Sequence, residues 1–287
     1  MEVKVAIVDA FVDGDKGGNP AGVVLNSDNL TCDQKLSIAS QVGLSETAFI
    51  SQSSTADFKL DFFTPQKQIA HCGHATIASF SYLSQLNFVP QNNTSKETID
   101  GNRSIIVEDG YAYMEQLAPR YTEIDEEIPT VLAALGLSSQ EVIASPIIAN
   151  TGNSFILVGV KDIATLNRID ADEAMINRLS EQYDLIGFYV FTIETNISGR
   201  DASTRMFAPR YGIKEEAATG MAAGPLACYL YDYMHITQDK FAIEQGYSMP
   251  VASPSCIDVT IALENGAITS LLAGGTGIVS RYQTVEI

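Results

Sequence analysis

Residues 63–83, FTPQKQIAHCGHATIASFSYL, decide how the rest of the chain is read, because residues 207–230, FAPRYGIKEEAATGMAAGPLACYL, repeat their plan. Both open Phe-x-Pro, reach a glycine and close on Tyr-Leu. From Gly73 to Tyr82 and from Gly220 to Tyr229 the step is the same, and no Asp, Glu, Lys or Arg intervenes in either. A helix that is apolar or small all round is a buried helix, and at this length it is far too short to span a bilayer. The spacing therefore predicts two buried helices, one per half. Each begins at a glycine, where unpaired backbone N–H groups and the positive end of the helix dipole attract an anion.

Working outward, residues 3–10 read as a strand, 11–18 as a polar loop and 22–25 as the next strand. Residues 28–41 read as a helix capped by Asp33 and stopped by Gly43, followed by a strand over 47–50. Residues 59–63 alternate, 87–103 read as a polar loop, and 104–115 as a hairpin about Asp109-Gly110. The run APRYTEIDEEIPT, proline at both ends and acidic between, marks a boundary between halves. The expected domains are 1–118, with the strand 276–287 able to return to it, and 130–275, joined by a linker over 119–129.

The second half then repeats the first in order. Gly152-Asn153-Ser154 before an apolar run matches Gly18-Asn19-Pro20, a helix from Asp172 leads to a strand over 188–192 as the earlier helix leads to 47–50, and the Phe-x-Pro block comes third. Three matches in one order indicate an internal duplication. A repeat this long is a domain, so the expected architecture is α+β in two similar halves with a cleft between them, closing on a hairpin about Asn265-Gly266.

Composition limits the partners. The 287 residues are 46% apolar, enough for one large core or two medium ones, and the net charge of −18 argues against nucleic acid and anionic membrane, both of which need a basic face. No run reaches the length of a membrane span, and the N-terminus lacks a signal-peptide pattern, so a cytoplasmic location is expected. Cys32, Cys72, Cys228 and Cys256 stand far apart, which in a reducing compartment predicts free thiols, mostly buried.

The chemistry is sought in ionisable groups that break the repeat. Laying Phe49 on Phe188 puts Glu46 opposite Leu185, and laying Gly73 on Gly220 puts His74 opposite Met221 and Glu216 opposite Ile69. Glu46 lies between a helix stop and an apolar strand, where a partly desolvated carboxylate can both take and return a proton; a surface or capping glutamate is the plainer reading. His74 at a helix start could relay a proton, or be satisfied within the core. Cys72 is placed where a helix dipole activates a thiol, but a two-thiol mechanism needs a second thiol where Thr219 stands. His71, Cys72, His74 and Glu216 match no established zinc spacing, so no metal is expected. AGGTG at 273–277 reads as a strand-end turn rather than a phosphate loop.

VDAFVDGDKGGNPAGVV, GLSETAFI, FFTPQKQIAHCGHATIAS, GFYVF and RMFAPRYGIKEEAATGMAA together resemble the PhzF-like family, phenazine-biosynthesis-type isomerases with the diaminopimelate epimerase fold. The motifs span nearly the whole chain. The resemblance implies two pseudo-symmetric halves, each a curved, mostly antiparallel sheet wrapped round a central buried helix. It also implies proton movement on a cyclic dihydro-hydroxyanthranilate by a glutamate matching Glu46, without metal or organic cofactor, and often a homodimer. His74 matches the family histidine. The family run Glu-Asp-Pro-Ala-Thr-Gly-Ser reads Glu215-Glu216-Ala217-Ala218-Thr219-Gly220-Met221 here, so the aspartate has become Glu216 and the serine Met221. His71 stands where the family usually has an apolar residue, residues 250–255 lack its Gly-Arg, and Pro225 requires the second helix to start near Met221 or later.

The expectation is a cofactor-independent isomerase or epimerase acting on a small carboxylated metabolite, with Glu46, His74 and Glu216 catalytic. Asn19, Cys72, Gly73, Thr219, Gly220 and Met221 would bind the substrate. Two rivals stand beside it: a non-catalytic member that binds a small acid, and thiol-based epimerisation through Cys72.

Overall fold

The computed structural model describes residues 1–89 and 92–287. Its contacts group into two compact units, Met1–Glu115 with Gly274–Ile287, and Gln116–Ala273. Among the described residues no helix is long and apolar enough to cross a membrane.

The first unit runs β1 (Glu2–Ala10), β2 (Asn19–Val24), α1 (Cys32–Val42), β3 (Thr47–Ser51), β4 (Phe58–Phe63), β5 (Gln68–Ile69), α2 (Gly73–Gln85), β6 (Asn92–Thr98), β7 (Gly101–Glu108) and β8 (Tyr111–Leu117). The second runs β9 (Arg120–Glu123), α3 (Ile128–Ala134), β10 (Ile147–Asn150), β11 (Ser154–Gly159), α4 (Ile163–Asn167), α5 (Glu173–Gln182), β12 (Gly187–Thr192), β13 (Ala202–Ala208), β14 (Ile213–Glu216), α6 (Gly220–Asp232), β15 (Lys240–Gln245), β16 (Ser255–Glu264) and β17 (Ala267–Gly275). The last strand, β18 (Gly277–Glu286), lies antiparallel to β1 in the first unit.

The two units are wired alike. In the first, β1 and β2 are antiparallel, β2 and β3 parallel, β3 and β4 antiparallel, β4 pairs β5 antiparallel and β6 parallel, and β6 and β7 are antiparallel. In the second, β10 to β16 reproduce that sequence of ladders strand for strand. The duplication expected from three short motifs thus extends to the whole pattern of hydrogen bonds. Within the first unit α2 packs on β1, β2, β3 and β18, and within the second α6 packs on β10, β11 and β16. Every residue from Gly73 to Leu83 is buried, as the all-round apolar pattern requires. The opposite faces carry α1 against Ile7, Val24, Phe49 and Phe63, and α3, α4 and α5 against Val158, Phe188 and Val190.

Several boundaries differ from those read in the sequence. The helix expected over 28–41 is a 3-10 turn at Ser27–Asn29 followed by α1, capped not by Asp33 but by Thr31 in a capping box with Gln34, worth ~1 kcal/mol over an uncapped start. Gly43, at φ 69°, stops it as expected. The polar loop expected over 87–103 is largely the β6–β7 hairpin, while Pro90 and Gln91 lie outside the described residues. The linker expected over 119–129 contains β9, which pairs with β10. Helix α6 starts at Gly220, so Pro225 falls beyond the first turn and leaves the Met221 carbonyl without its usual i+4 donor. The four cysteines are free, but Cys32 is exposed. The turns at Asp109-Gly110 and Asn265-Gly266 carry positive φ at both residues, the signature of tight hairpins.

Candidate functional site

In the first unit Glu46 sits between the left-handed Gly43 stop and β3. Its carbonyl accepts the Gly22 N–H at 3.1 Å, which fixes it to the start of the parallel β2–β3 pair. The residue is 8% exposed, so it is neither a surface glutamate nor a helix cap. Its Oε2 lies 3.3 Å from His74 Nε2, and His74 Nδ1 lies 3.6 Å from Cys72 Sγ. The imidazole therefore lies between a carboxylate and a thiol: Nδ1 meets the thiol, while Nε2 is near the Glu46 oxygen without the alignment of a hydrogen bond, so a small turn of either side chain would join them. His74 is the second residue of α2 and Cys72 its N-cap, with an extended backbone and no side-chain cap on the helix N–H groups. Burial pushes the Cys72 thiol above its ordinary value of 9, and the Glu46 carboxylate adds to this while His74 opposes it. A thiol held in its protonated form is a poor nucleophile, which weighs against epimerisation through Cys72. Gly73 opens α2, and Asn19 opens β2 with its side chain buried.

In the second unit Glu216 ends β14, and its Oε2 accepts the Thr219 hydroxyl at 2.6 Å. Gln245 closes the group: its Oε1 accepts the Thr219 N–H at 3.1 Å and the Tyr189 hydroxyl at 3.0 Å, and its Nε2 donates to Glu216 O and Thr219 Oγ1. Burial, with Glu216 nearby, pushes the Tyr189 phenol up. Gly220 begins α6, and its carbonyl accepts from Gln116 Nε2 at 2.9 Å; Met221 Sδ lies 3.4 Å from Asn153 Nδ2. Thr219, like Cys72, gives its helix no side-chain cap.

The ladders also say which residues occupy equivalent places, and they correct one expectation. Thr47 pairs with Phe63, and Phe188 with Phe207. Thr47 and Phe188 therefore hold the same place, and Glu46 stands opposite Gly187, not Leu185. Matching one phenylalanine to another had slipped the strand by two residues, a slip that preserves the alternation and so is invisible to pattern. Gly187 admits no counterpart, since a Cβ there would lie 2.1 Å from Phe207 O. The other pairings hold: Asn19 opposite Asn153, Ile69 opposite Glu216, Cys72 opposite Thr219 and His74 opposite Met221.

The groups that reading the sequence overlooked are Gln245, Tyr189 and the buried Lys96: Lys96 lies on a strand of polar residues, Tyr189 within an apolar strand where it reads as core, and Gln245 at the end of β15. Donor atoms of Glu46, Cys72 and His74 all lie within 4.8 Å of one another, close enough for an ion to span, whereas the set weighed from sequence also drew on His71 and Glu216. AGGTG is the β17–β18 junction, where a Cβ on Gly274 would lie 2.2 Å from Ala112 O, so that glycine serves packing.

A family model described as phenazine biosynthesis-like protein matches residues 8–281. An uncharacterized isomerase of Bacillus subtilis, YfhB, is 30% identical over 100% of this chain and 99% of its own. A trans-2,3-dihydro-3-hydroxyanthranilate isomerase of Pseudomonas chlororaphis is 29% identical over 98% of both. The crystal structure of a Bacillus anthracis phenazine biosynthesis protein of the PhzF family superposes with a TM-score of 0.90 at 25% identity, covering 100% of each chain.

Proposed function

Since the chain belongs to the phenazine biosynthesis-like family, we propose that it is an isomerase that moves a proton on a small carboxylated metabolite by acid/base catalysis, Glu46 being the main acid and base. The observation that carries this reading is the buried Glu46 carboxylate 3.3 Å from His74 Nε2, at the uncapped start of α2. Glu46 takes a proton from carbon and returns it to another carbon of the same molecule, so nothing is oxidised or reduced and no group leaves. His74 holds the carboxylate in place and relays protons to and from it. In the first unit the N–H groups at the start of α2, near Gly73, bind a substrate carboxylate oxygen; in the second, the start of α6 near Gly220 offers the same kind of anion site, with Glu216 held beside it through Thr219. The reading carries no metal or organic cofactor, a homodimer and a cytoplasmic location as further proposals.

The test is solvent-deuterium exchange. Trans-2,3-dihydro-3-hydroxyanthranilate, the compound named for the Pseudomonas relative, is incubated with the chain in D2O and followed by mass. Deuterium should enter with the wild type and fall by roughly a hundredfold or more in Glu46→Gln, which keeps shape and removes proton transfer. Undiminished exchange in that variant would show the role given to Glu46 to be wrong. A second reading, a non-catalytic binder of small acids, is favoured by Met221, whose thioether lies on Asn153. Binding of the same acid without any exchange would select it.

A further inference from the structure

The second unit is an internal control for the first, because the same ladders fix the same places in both. Phe58 pairs with Lys96 in the first unit and Ala202 with Ile243 in the second. Since β4 and β13 are equivalent, Lys96 stands where the second unit has Ile243. The next pair confirms the register: Glu97 and Glu244 coincide, and each holds the loop before its neighbouring strand, Glu97 through Ser53 and Thr55 and Glu244 through Asn196 and Ile197. Along the helices His71 corresponds to Ala218 and Thr76 to Ala223, and across the hairpins Arg103 corresponds to Ile257. One fold position is therefore filled by Ile243, Ala218 and Ala223 in one half, all buried, and by Lys96, His71 and Thr76 in the other. The fold does not need the polar set.

Lys96 is 0% exposed. Its ammonium donates to Thr76 Oγ1 at 2.6 Å and to His71 Nδ1 at 3.2 Å, and lies 5.1 Å from the centre of the Phe62 ring. These are a hydroxyl, an imidazole and a π-face, so among the described residues no carboxylate pairs with the buried charge, a costly arrangement. Thr76 in turn donates its hydroxyl to Cys72 O at 2.6 Å, the carbonyl that also accepts the Thr76 N–H. A chain of hydrogen bonds thus runs from β6 to the peptide that carries Cys72 and precedes Gly73 and His74. The titratable groups facing the ammonium are His71 and Cys72, before and at the head of α2, and Arg103 across the β6–β7 hairpin.

We propose that Lys96 is a positioning residue of the acid/base group: through Thr76 it fixes the turn that presents Cys72 and His74 to Glu46, and it holds a positive charge beside the Cys72 thiol. The inference rests on the proposed role of Glu46 for its functional meaning, but its test uses no substrate, so an idle Glu46 and an idle Lys96 are separate results. Burial lowers the Lys96 pKa to about 7 and the His71 pKa to about 3, with Lys96 a further cause for His71. The charge behind the helix start is thus present below neutrality and leaves above it, while His71 stays neutral and accepts from it.

The test is the pH profile of iodoacetamide alkylation at Cys72, resolved from the other three cysteines by peptide mass, in the full chain and in Lys96→Ile, the residue the second unit uses. The wild-type profile should carry an inflection near neutrality as the neighbouring charge is lost. Lys96→Ile should lack it and react roughly tenfold more slowly below neutrality, the effect of removing one partly screened charge. A wild type without the inflection, or a variant that keeps it, overturns the proposal. Thr76→Val, which leaves the charge and cuts the tie, should keep the inflection and expose Cys72 to faster alkylation. An unchanged rate in Thr76→Val refutes the positioning role, whether or not Lys96→Ile folds.

Discussion

Lys96→Ile should also change how stability depends on pH, and the size of the change follows from the buried ammonium. Burial pulls the pKa of Lys96 from its ordinary 10.5 to about 7, Cys72 opposing and Arg103 adding to the fall. In the unfolded chain the lysine keeps its proton up to pH 9, whereas in the folded chain it is half deprotonated at pH 7 and almost wholly so by pH 9. The unfolded state binds more protons throughout that window, so the wild type gains stability as pH rises through it. Integrating one proton's linkage from pH 7 to pH 9 gives about 2 kcal/mol of added wild-type stability that Lys96→Ile does not share. Urea unfolding of both proteins at the two pH values reads the difference, with the variant cancelling every other lysine and tyrosine. The gap between their midpoints should favour the variant most at pH 7 and close by that amount at pH 9. Curves that move in parallel would mean that water reaches the ammonium in the folded state, and the reasoning from burial would fail.

Two further outcomes test the fold around the site. Gly187→Ala puts a methyl 2.1 Å from Phe207 O at the end of the β12–β13 ladder and should destabilise the chain by roughly 2–4 kcal/mol, seen as a lower melting temperature; an unchanged melting temperature would contradict the claim that this place admits no side chain. Asp61→Ala strands the Lys35 ammonium, now 2.6 Å from Asp61 Oδ2 in a buried pair, and should cost ~3–5 kcal/mol in urea unfolding, with a loss under 1 kcal/mol showing that water solvates Lys35 in the native state.

The two buried helices were legible because their pattern is extreme: a run of small and apolar residues with no charge has only one place to go. Glu46 and His74 were legible as candidates because each breaks a repeat at an element boundary. The residues behind them were not. Lys96 lies in NNTSKET, which carries no apolar alternation, because β6 buries two threonines and a lysine instead of aliphatic residues, and so it reads as a loop. Gln245 meets Thr219, and Tyr189 meets Gln245, only across long stretches of sequence, and no local signal announces them. The counterpart of Glu46 was misplaced for the same reason: register belongs to the ladder, and a two-residue slip leaves every side chain on its own face.

The glycine opposite Glu46 has a stereochemical consequence. Racemases that invert a carbon use two bases, one for each face, and a duplicated fold is a natural way to supply them. Here the second copy cannot carry a carboxylate at Gly187, and Thr219 replaces the thiol that would answer Cys72. With Glu46 as the single base, the proton would leave and return on the same face of the substrate, a suprafacial shift. Isotope taken from the substrate would then be partly handed back to it before solvent could exchange it away.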